Sequence, residues 1–366
     1  MLLESIEADG FRNLRGRIEL SGGLSILAGE NGAGKTNWLE AIAVLADARS
    51  FRTPRLAEVV AFGSETGSVS GSVRESPEIV RELRVIISDN KRTLWVNGSR
   101  EPRAEYVRHL TAVVFSADRL EIVRGQPEAR RRFLDEGIIA LHPPFVRVFS
   151  DYERVLKQKN ALLQSARDGA DTADKTAERL APWNEQLAAL GTRIHRARSR
   201  LVDRLNEVLE THLFGPEDLT LRYLSSLEDK GDLTDYEELM TERLRLRVQA
   251  EMAAGRGLIG PHRDDLELKL ADHDVRRFGS AGQQRSVLLL IVLAKIALFH
   301  ATRGEYPLFL IDDIDAELDY RRIGRLLKFL EGKTQTVVTT SKESFIERFG
   351  PLATVYEVAS GNAKPN

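Results

Sequence analysis

Short runs of alternating side chains fill the first part of the chain. Leu2 to Ala8 and Arg17 to Leu20 alternate roughly at period two, the spacing of strands with one buried face. Leu24 to Leu27 is a short, mostly apolar run that ends in a glycine-rich turn, and one helix-length apolar stretch follows it. Val80 to Ile87 and Thr93 to Val96 read as strands, Asn97-Gly98 as a tight turn, and Thr111 to Phe115 as a buried strand. A β-rich lobe around one helix is therefore predicted. From about Gln126 to about Ala254 the stretches become helix-length, with breaks at His142-Pro143-Pro144, Gly169, Gly215-Pro216 and Gly231. The longest, roughly Thr172 to Leu213, would reach about 60 Å as one helix, and Pro182 and Gly191 are placed to bend or divide it. It is expected to be an arm more than a core. After Gly255, strand and helix alternate again, with very apolar strands at Leu308 to Ile311 and Thr336 to Thr339, as in a sheet covered on both faces. The pattern predicts an α/β head made of residues 1–125 and 256–366, interrupted by a helical insertion over 126–255.

Composition changes this picture in two places. The 366 residues, 42% hydrophobic and 30% charged, are ordinary globular usage, which excludes wholesale disorder and fibrous repeats. Cysteine is absent, so disulfides and thiolate metal sites are excluded, and a reducing intracellular compartment fits. The longest apolar run, Val287 to Phe299, is interrupted by Lys295 and reads as too short for a bilayer; with Glu4 near the start and no leader core, a cytoplasmic chain without a membrane segment is expected. Net charge of −2 points to no polyanionic partner. The cations are lopsided, however, with 41 arginines against 12 lysines, and arginine suits bidentate contacts to phosphate and carboxylate.

The candidate chemistry begins at Gly29-Glu30-Asn31-Gly32-Ala33-Gly34-Lys35-Thr36, a full phosphate-loop match between the strand Leu24 to Leu27 and the helix of Trp38, Leu39, Ile42 and Leu45. In that context backbone N–H groups and a helix N-terminus can surround a polyphosphate. Lys35 would reach the β- and γ-phosphates, and the Thr36 hydroxyl would bind Mg²⁺. The partner of such a loop is a buried strand ending in carboxylates, which Leu308-Phe309-Leu310-Ile311-Asp312-Asp313 supplies. Asp312 is then expected to hold Mg²⁺ and Asp313 to act as general base on the attacking water. Between these lies Phe278-Gly279-Ser280-Ala281-Gly282-Gln283-Gln284-Arg285-Ser286 ahead of an apolar helix, a second anion site by its free N–H groups. Its position about 30 residues before the acid pair is where ABC-type ATPases carry a signature that closes over the partner subunit's γ-phosphate. Ser280, Gly282, Gln283 and Arg285 would carry it, and Ala316-Glu317-Leu318-Asp319 looks like the loop that crosses the dimer interface, with Glu317 and Asp319 as its acids.

On these residues, and on Phe11-Arg12-Asn13-Leu14, Arg49-Ser50-Phe51-Arg52, Phe115-Ser116-Ala117-Asp118, Arg130-Arg131-Arg132-Phe133-Leu134-Asp135, Tyr152 to Asn160 and Gly260-Pro261-His262-Arg263-Asp264-Asp265, the chain resembles the RecF family over almost its whole length. These are bacterial recombination-repair ATPases related to SMC proteins and the ABC superfamily. The resemblance departs at Ser116-Ala117-Asp118, where the family more often shows Ser-Pro-Glu-Asp, and at Gly125-Gln126-Pro127, where it shows Gly-Ser-Pro. It implies an ABC/SMC-like head with an inserted helical arm, ATP and Mg²⁺ as cofactors, and a homodimer formed on ATP binding. It also implies that Arg12 and Asn13 approach the nucleotide. The implied activity is a weak DNA-stimulated ATPase acting as a switch on duplex and gapped DNA, helping RecO and RecR load RecA in recombinational repair and SOS induction.

DNA contacts must be sought among the arginines. Arg193, Arg196, Arg200 and Arg204 recur at three, four and four residues, a stripe that could follow phosphates without reading sequence. Glu207 and Glu210 follow closely, and a solvated charged face is the competing reading. Arg130-Arg131-Arg132 is a second basic cluster, with Phe133-Leu134 beside it pointing to packing against the head. His262 with Asp264 and Asp265 could hold a metal, but a hydrogen-bonded turn with a structural or allosteric role is favoured. Two other functions compete with the DNA switch. A transporter ATPase subunit shares the loop and signature but not the helical insertion of about 130 residues. A small-molecule phosphotransferase has no use for the signature.

Overall fold

The computed structural model describes residues 1–89, 91–168, 173–212 and 218–365, and the chain forms two compact units. The first is built mainly from Met1–Val123 and Ser280–Asn366, the second mainly from Arg124–Thr211 and Glu217–Gly279. In chain order the strands are β1 (Leu2–Phe11), β2 (Leu14–Glu19), β3 (Leu24–Ala28), β4 (Gly67–Ser76), β5 (Ile79–Ser88), β6 (Lys91–Val96), β7 (Ser99–Arg100), β8 (Ala112–Phe115), β9 (Leu219–Leu224), β10 (Asp265–Leu270), β11 (His273–Asp274), β12 (Leu308–Ile311), β13 (Thr336–Thr340), β14 (Thr354–Ala359) and β15 (Asn362–Pro365).

Two six-stranded sheets make the first unit. One is antiparallel, in the order β2-β1-β4-β5-β6-β7; the other, β15-β14-β3-β13-β12-β8, is parallel except for β15. The helix Lys35–Asp47 touches β4 and β5 of the first sheet and β8 and β13 of the second, so it is covered on opposite sides. This is why its apolar residues are not confined to one stripe: ten of its thirteen residues are buried. Strand β4 has no strong sequence signal because it reads Gly-Ser-Val-Ser-Gly-Ser-Val. Position 71 on its inward face must be small, since a Cβ on Gly71 would lie 2.6 Å from the Ser5 carbonyl and 2.7 Å from Leu45 of the helix. Asn97 and Gly98 join β6 to β7 at φ 48° and 77°, the left-handed pair of a type I′ turn.

Strands β12 and β13 are buried along their whole length, as their apolar sequences require. The helix Ala281–Arg303 corrects the reading of Val287 to Phe299 as too short. Lys295 does not interrupt it, and among the described residues it is the one helix long and apolar enough to cross a membrane. It is also 67% buried in the protein over that stretch, so its apolarity is accounted for by core packing.

The second unit is not purely helical. The boundary expected at 255/256 falls instead at Gly279/Ser280, because β10 pairs antiparallel with both β9 and β11 and keeps 265–274 with the helices. The stretch expected to be an arm is the long helix of this inserted unit and supplies much of the unit's own core. Ala173–Leu209 is a single helix of 37 residues running through Pro182 and Gly191. Leu180, Leu187, Ile194 and Leu201, at seven-residue spacing, are buried with Ala188, Val202 and Leu205, and the helix packs on Phe145–Arg167, Tyr236–Leu246 and β9. Gly191 is explained by close approach, since a Cβ there would meet Met240 Sδ at 2.8 Å. The expected breaks at Gly169 and Gly215-Pro216, and the ends Thr172 and Leu213, lie outside the described residues.

Buried charge organises this unit. Lys159 and Glu251 pair at 2.6 Å with both side chains fully inaccessible, and burial pushes the Lys159 ammonium below its ordinary value. Arg198 chelates Asp135 at 2.8 and 2.9 Å and donates to the Pro261 carbonyl; Arg130 chelates Asp265 at 2.6 and 3.0 Å. Asp264 accepts from Tyr223 and from the Ser226 N–H. His262 Nε2 donates to the Gly257 carbonyl at 3.3 Å, which leaves Nδ1 to accept from the Tyr152 hydroxyl at 2.8 Å. Burial pushes the His262 imidazole down to about 4, so it is neutral near pH 7. Among the described residues no group of three acids and histidines is placed to bind a metal. The Gly260–Asp265 motif is thus a hydrogen-bonded turn. Removing one partner of a buried pair leaves the other charge unpaired, so Glu251→Ala is expected to cost about 3–5 kcal/mol, read as a lowered denaturant midpoint.

Candidate nucleotide site

The loop after β3 stands where its sequence predicts. β3 lies between β13 and β14, with Leu24 opposite Thr336 and Ala28 opposite Thr340. The chain leaves at Ala28, turns through 29–34 and enters the helix at Lys35, at the carboxyl edge of the parallel strands where open α/β sheets take ligands. Gly32 and Gly34 have φ of 83° and 112°, values that favour glycine. A Cβ on Gly32 would meet nothing within 4 Å, so that side of the loop is open, whereas one on Gly29 would lie 2.3 Å from the Val358 carbonyl of β14. Glu30 and Asn31 are exposed and Ala33 is half-buried. The Lys35 side chain curls over its own loop, Nζ donating to the carbonyls of Gly29 and Glu30 at 2.9 Å each.

Beneath the loop the two ends of the sequence meet. Thr36 Oγ1 and Thr339 Oγ1 both donate to Asp312 Oδ1, at 2.9 and 2.7 Å. Burial pushes the Asp312 carboxyl above its ordinary value and the Asp313 charge adds to this, while the two threonines and the Arg52 charge oppose it. A hydroxyl and a carboxylate in contact, both oxygen donors, suit a hard divalent cation that completes its shell with phosphate and water. Asp313 follows at φ 45°, its N–H donating to Thr339 Oγ1 at 2.8 Å. It precedes the one-turn helix Ile314–Glu317 without capping it, so its carboxylate is not spent on the helix.

Arg12 and Asn13 border the loop differently. Asn13 reaches it: a Cβ on Gly34 would lie 3.2 Å from Asn13 Oδ1, which accepts from Asn37 Nδ2 at 2.8 Å. Arg12 turns instead to Glu40, donating to its carboxylate twice at 2.9 Å and to the Glu58 carbonyl at 2.7 Å. Three contributors were missed from sequence. Thr339 lies in an apolar strand and gave no signal. The C-terminal hairpin sits on the loop, Gly361 N–H donating to the Ala33 carbonyl at 2.8 Å, but its turn looks like any other. Glu40 did carry a signal, an acid inside the apolar stretch Trp38 to Leu45.

The signature residues form a second cluster. Ser280 and Gln283 make a reciprocal capping box at the start of the helix Ala281–Arg303, and a Cβ on Gly282 would meet nothing within 4 Å. Arg285 donates to Glu317 at 2.9 Å within the same chain, where the Glu317 side chain is only 7% exposed. Glu317 is therefore engaged in its own subunit. Asp319 caps the helix Tyr320–Leu330 through the Arg322 N–H at 2.9 Å. In the second unit Arg193, Arg196 and Arg200 are exposed and Arg204 is half-buried, with Arg193 5.9 Å above the Phe145 ring. Arg130 and Arg131, by contrast, are held by Asp265 and the Asp264 carbonyl.

The family model described as RecF/RecN/SMC N terminal domain matches residues 2–364. The DNA replication and repair protein RecF of Cyanothece sp. is 38% identical over 99% of this chain and 97% of that protein. That of Gloeobacter violaceus is 34% identical over 99% of this chain and 98% of its own length. Among solved structures, the recombination mediator protein RecF-ATP of the RecFOR pathway superposes with a TM-score of 0.89 at 28% identity, covering 100% of this chain and 97% of that one. An Smc head bound to the C-winged helix domain of ScpA gives 0.54 at 15% identity, covering 100% and 97%, a likeness of fold alone.

The hairpin's contact with the loop can be tested without any ligand. A Cβ on Gly361, which has φ 82°, would lie 1.9 Å from the Asn13 carbonyl. Gly361→Ala is expected to lower stability by about 1–3 kcal/mol in thermal unfolding, and an unchanged midpoint would show that the hairpin does not clamp the loop.

Proposed function

We propose, for a chain that belongs to the RecF family of the RecF/RecN/SMC ATPases, an ATP-operated DNA-binding switch of recombinational repair. The observation that carries this reading is the contact of Thr36 with Asp312 directly beneath an open phosphate loop. Lys35 releases the carbonyls of Gly29 and Glu30 and pairs with phosphate oxygens, while the loop N–H groups from 29 to 36 surround them. Thr36 and Asp312 hold Mg²⁺, whose chemistry is to neutralise charge on the phosphates. Asp313 orients the attacking water and takes its proton. Asn13 borders the nucleotide, with Arg12 behind it.

Hydrolysis needs a second copy of the chain. The open turn faces the nucleotide of a partner subunit with its Gly282 N–H, while the Ser280 N–H is held by Gln283 in the capping box and Arg285 shapes the turn. Asp319 stands at the interface loop; Glu317 supports that loop from within its own subunit. A one-turn linkage runs from Asp313 through Ile314–Glu317 to Arg285, and it supports a reading in which the hydrolytic acid and the signature act together. A dimer closed by ATP and opened by hydrolysis is a clamp, and slow, DNA-stimulated turnover gives it timing.

Arg193, Arg196, Arg200 and Arg204 are the candidate phosphate contacts to duplex and gapped DNA. The chain would act in the cytoplasm with RecO and RecR, helping load RecA at single-strand gaps and so supporting the SOS response. A transporter ATPase is disfavoured by the family membership and by the second unit.

Lys35→Ala is expected to weaken ATP binding at least about 100-fold and to abolish ATP-dependent dimers in sedimentation. Asp313→Asn should bind ATP normally, keep the dimer closed and lose about 10²–10⁴ in single-turnover rate. Wild-type turnover in Asp313→Asn would remove it from the mechanism. For DNA, Arg196→Ala with Arg200→Ala should reduce the slope of log affinity against log salt by about 2; an unchanged slope would assign the stripe to solvent.

A further inference from the structure

Glu40 is the buried acid of the apolar helix Lys35–Asp47. It sits in the second turn, is fully inaccessible, and accepts hydrogen bonds from two arginines and a serine. Arg12 donates to it through Nε and Nη2 at 2.9 Å each, Arg52 through Nη1 at 3.3 Å, and Ser50 through Oγ at 2.5 Å. A buried carboxylate is costly unless paired, and here it is paired twice over. Two guanidinium groups repel when adjacent, and sharing one carboxylate lets them lie together, with the Asp118 carboxylate a further 3.9 Å from Arg52 Nε.

Arg52 lies beside the residues that border the phosphate loop. Arg52 Nη1 also donates to Asn37 Oδ1 at 2.9 Å, Asn37 Nδ2 donates to Asn13 Oδ1 at 2.8 Å, and Asn13 packs against Gly34. Hydrogen bonds thus run from Glu40 through Arg52 and Asn37 to Asn13, which packs against the loop at Gly34. The two arginines keep 24% and 36% of their side chains exposed, so they are held but not sealed.

We propose that Glu40 is a positioning residue of the nucleotide site, holding Arg52, with Arg12 behind it, in a fixed orientation toward the bound triphosphate. This rests on the reading of the loop as an ATP site. Arg52 becomes a phosphate-recognising residue, and its fork, shared between Glu40 and Asn37, sets its direction.

The test is equilibrium binding of a fluorescent ATP analogue with Mg²⁺, together with single-turnover hydrolysis, in the full chain. Glu40→Gln and Arg52→Ala are each expected to weaken binding about tenfold, with less than about a twofold change in the rate of bound nucleotide. The double variant is expected to be no weaker than the weaker single variant, because both changes remove the same held cation. Arg52→Lys keeps the charge but cannot bridge Glu40 and Asn37, so it should behave like Arg52→Ala, and it carries the test if Glu40→Gln does not fold. Wild-type affinity in Arg52→Lys, or losses that add in the double variant, overturns the positioning role. Failure of the unaltered chain to bind the analogue would instead sink the ATP reading of the loop.

Discussion

Thr36 and Asp312 are 276 positions apart in sequence and 2.9 Å apart in space, and the first unit is organised around that contact. It requires β3 and β12 to flank β13 in one parallel sheet, which places the end of one strand beside the end of the other. Thr339 of the intervening strand supplies the second hydrogen bond to the same carboxylate oxygen and accepts from the Asp313 N–H. Asp312 is therefore fixed by both of its neighbours. A carboxylate buried this far pulls protons unless hydroxyls, cations or a metal oppose it, so the site's electrostatics and the sheet's register are one constraint.

The second unit solves a different problem with similar means. Its helices carry the heptad-spaced apolar residues of a packed core, yet several ion pairs are buried among them. Such pairs contribute little net stability compared with apolar replacements, but each fixes two elements in one relative arrangement because a mismatch strands a charge. Lys159 with Glu251 ties the helix Phe145–Arg167 to the helix Val248–Ala254. Arg130 with Asp265 ties the helix Pro127–Leu141 to β10. That is how residues 265–274 belong to this unit although their sequence looks like the resumed head.

Legibility followed the strength of local signals. The phosphate loop was readable because its glycines and Lys35-Thr36 must be contiguous. Asn97-Gly98 was readable because a two-residue turn with positive φ admits few residues. Strand β4 was not, since Gly71 is dictated by the helix pressed against it, a neighbour that sequence order does not reveal. Pro182 and Gly191, placed to bend or divide the long helix, do not divide it: the packed face of the helix outweighs the local cost of proline, and Gly191 is there for Met240. Lys295 misled in the same way, because one charge does not end an apolar helix whose remaining faces are covered.

By itself the sequence determined the chemistry on offer: a loop for polyphosphate, an acid pair after a buried strand, a capped turn ahead of an apolar helix, and arginine in place of lysine. Contiguous motifs are sufficient for that, because backbone geometry and residue type act locally. Only the tertiary structure decided which groups share an atom. It gave Glu317 to Arg285 of its own chain, Arg130 to Asp265, and both Arg12 and Arg52 to Glu40. Those choices depend on distances between segments far apart in the chain, and a buried charge takes whichever partner the packing brings within reach.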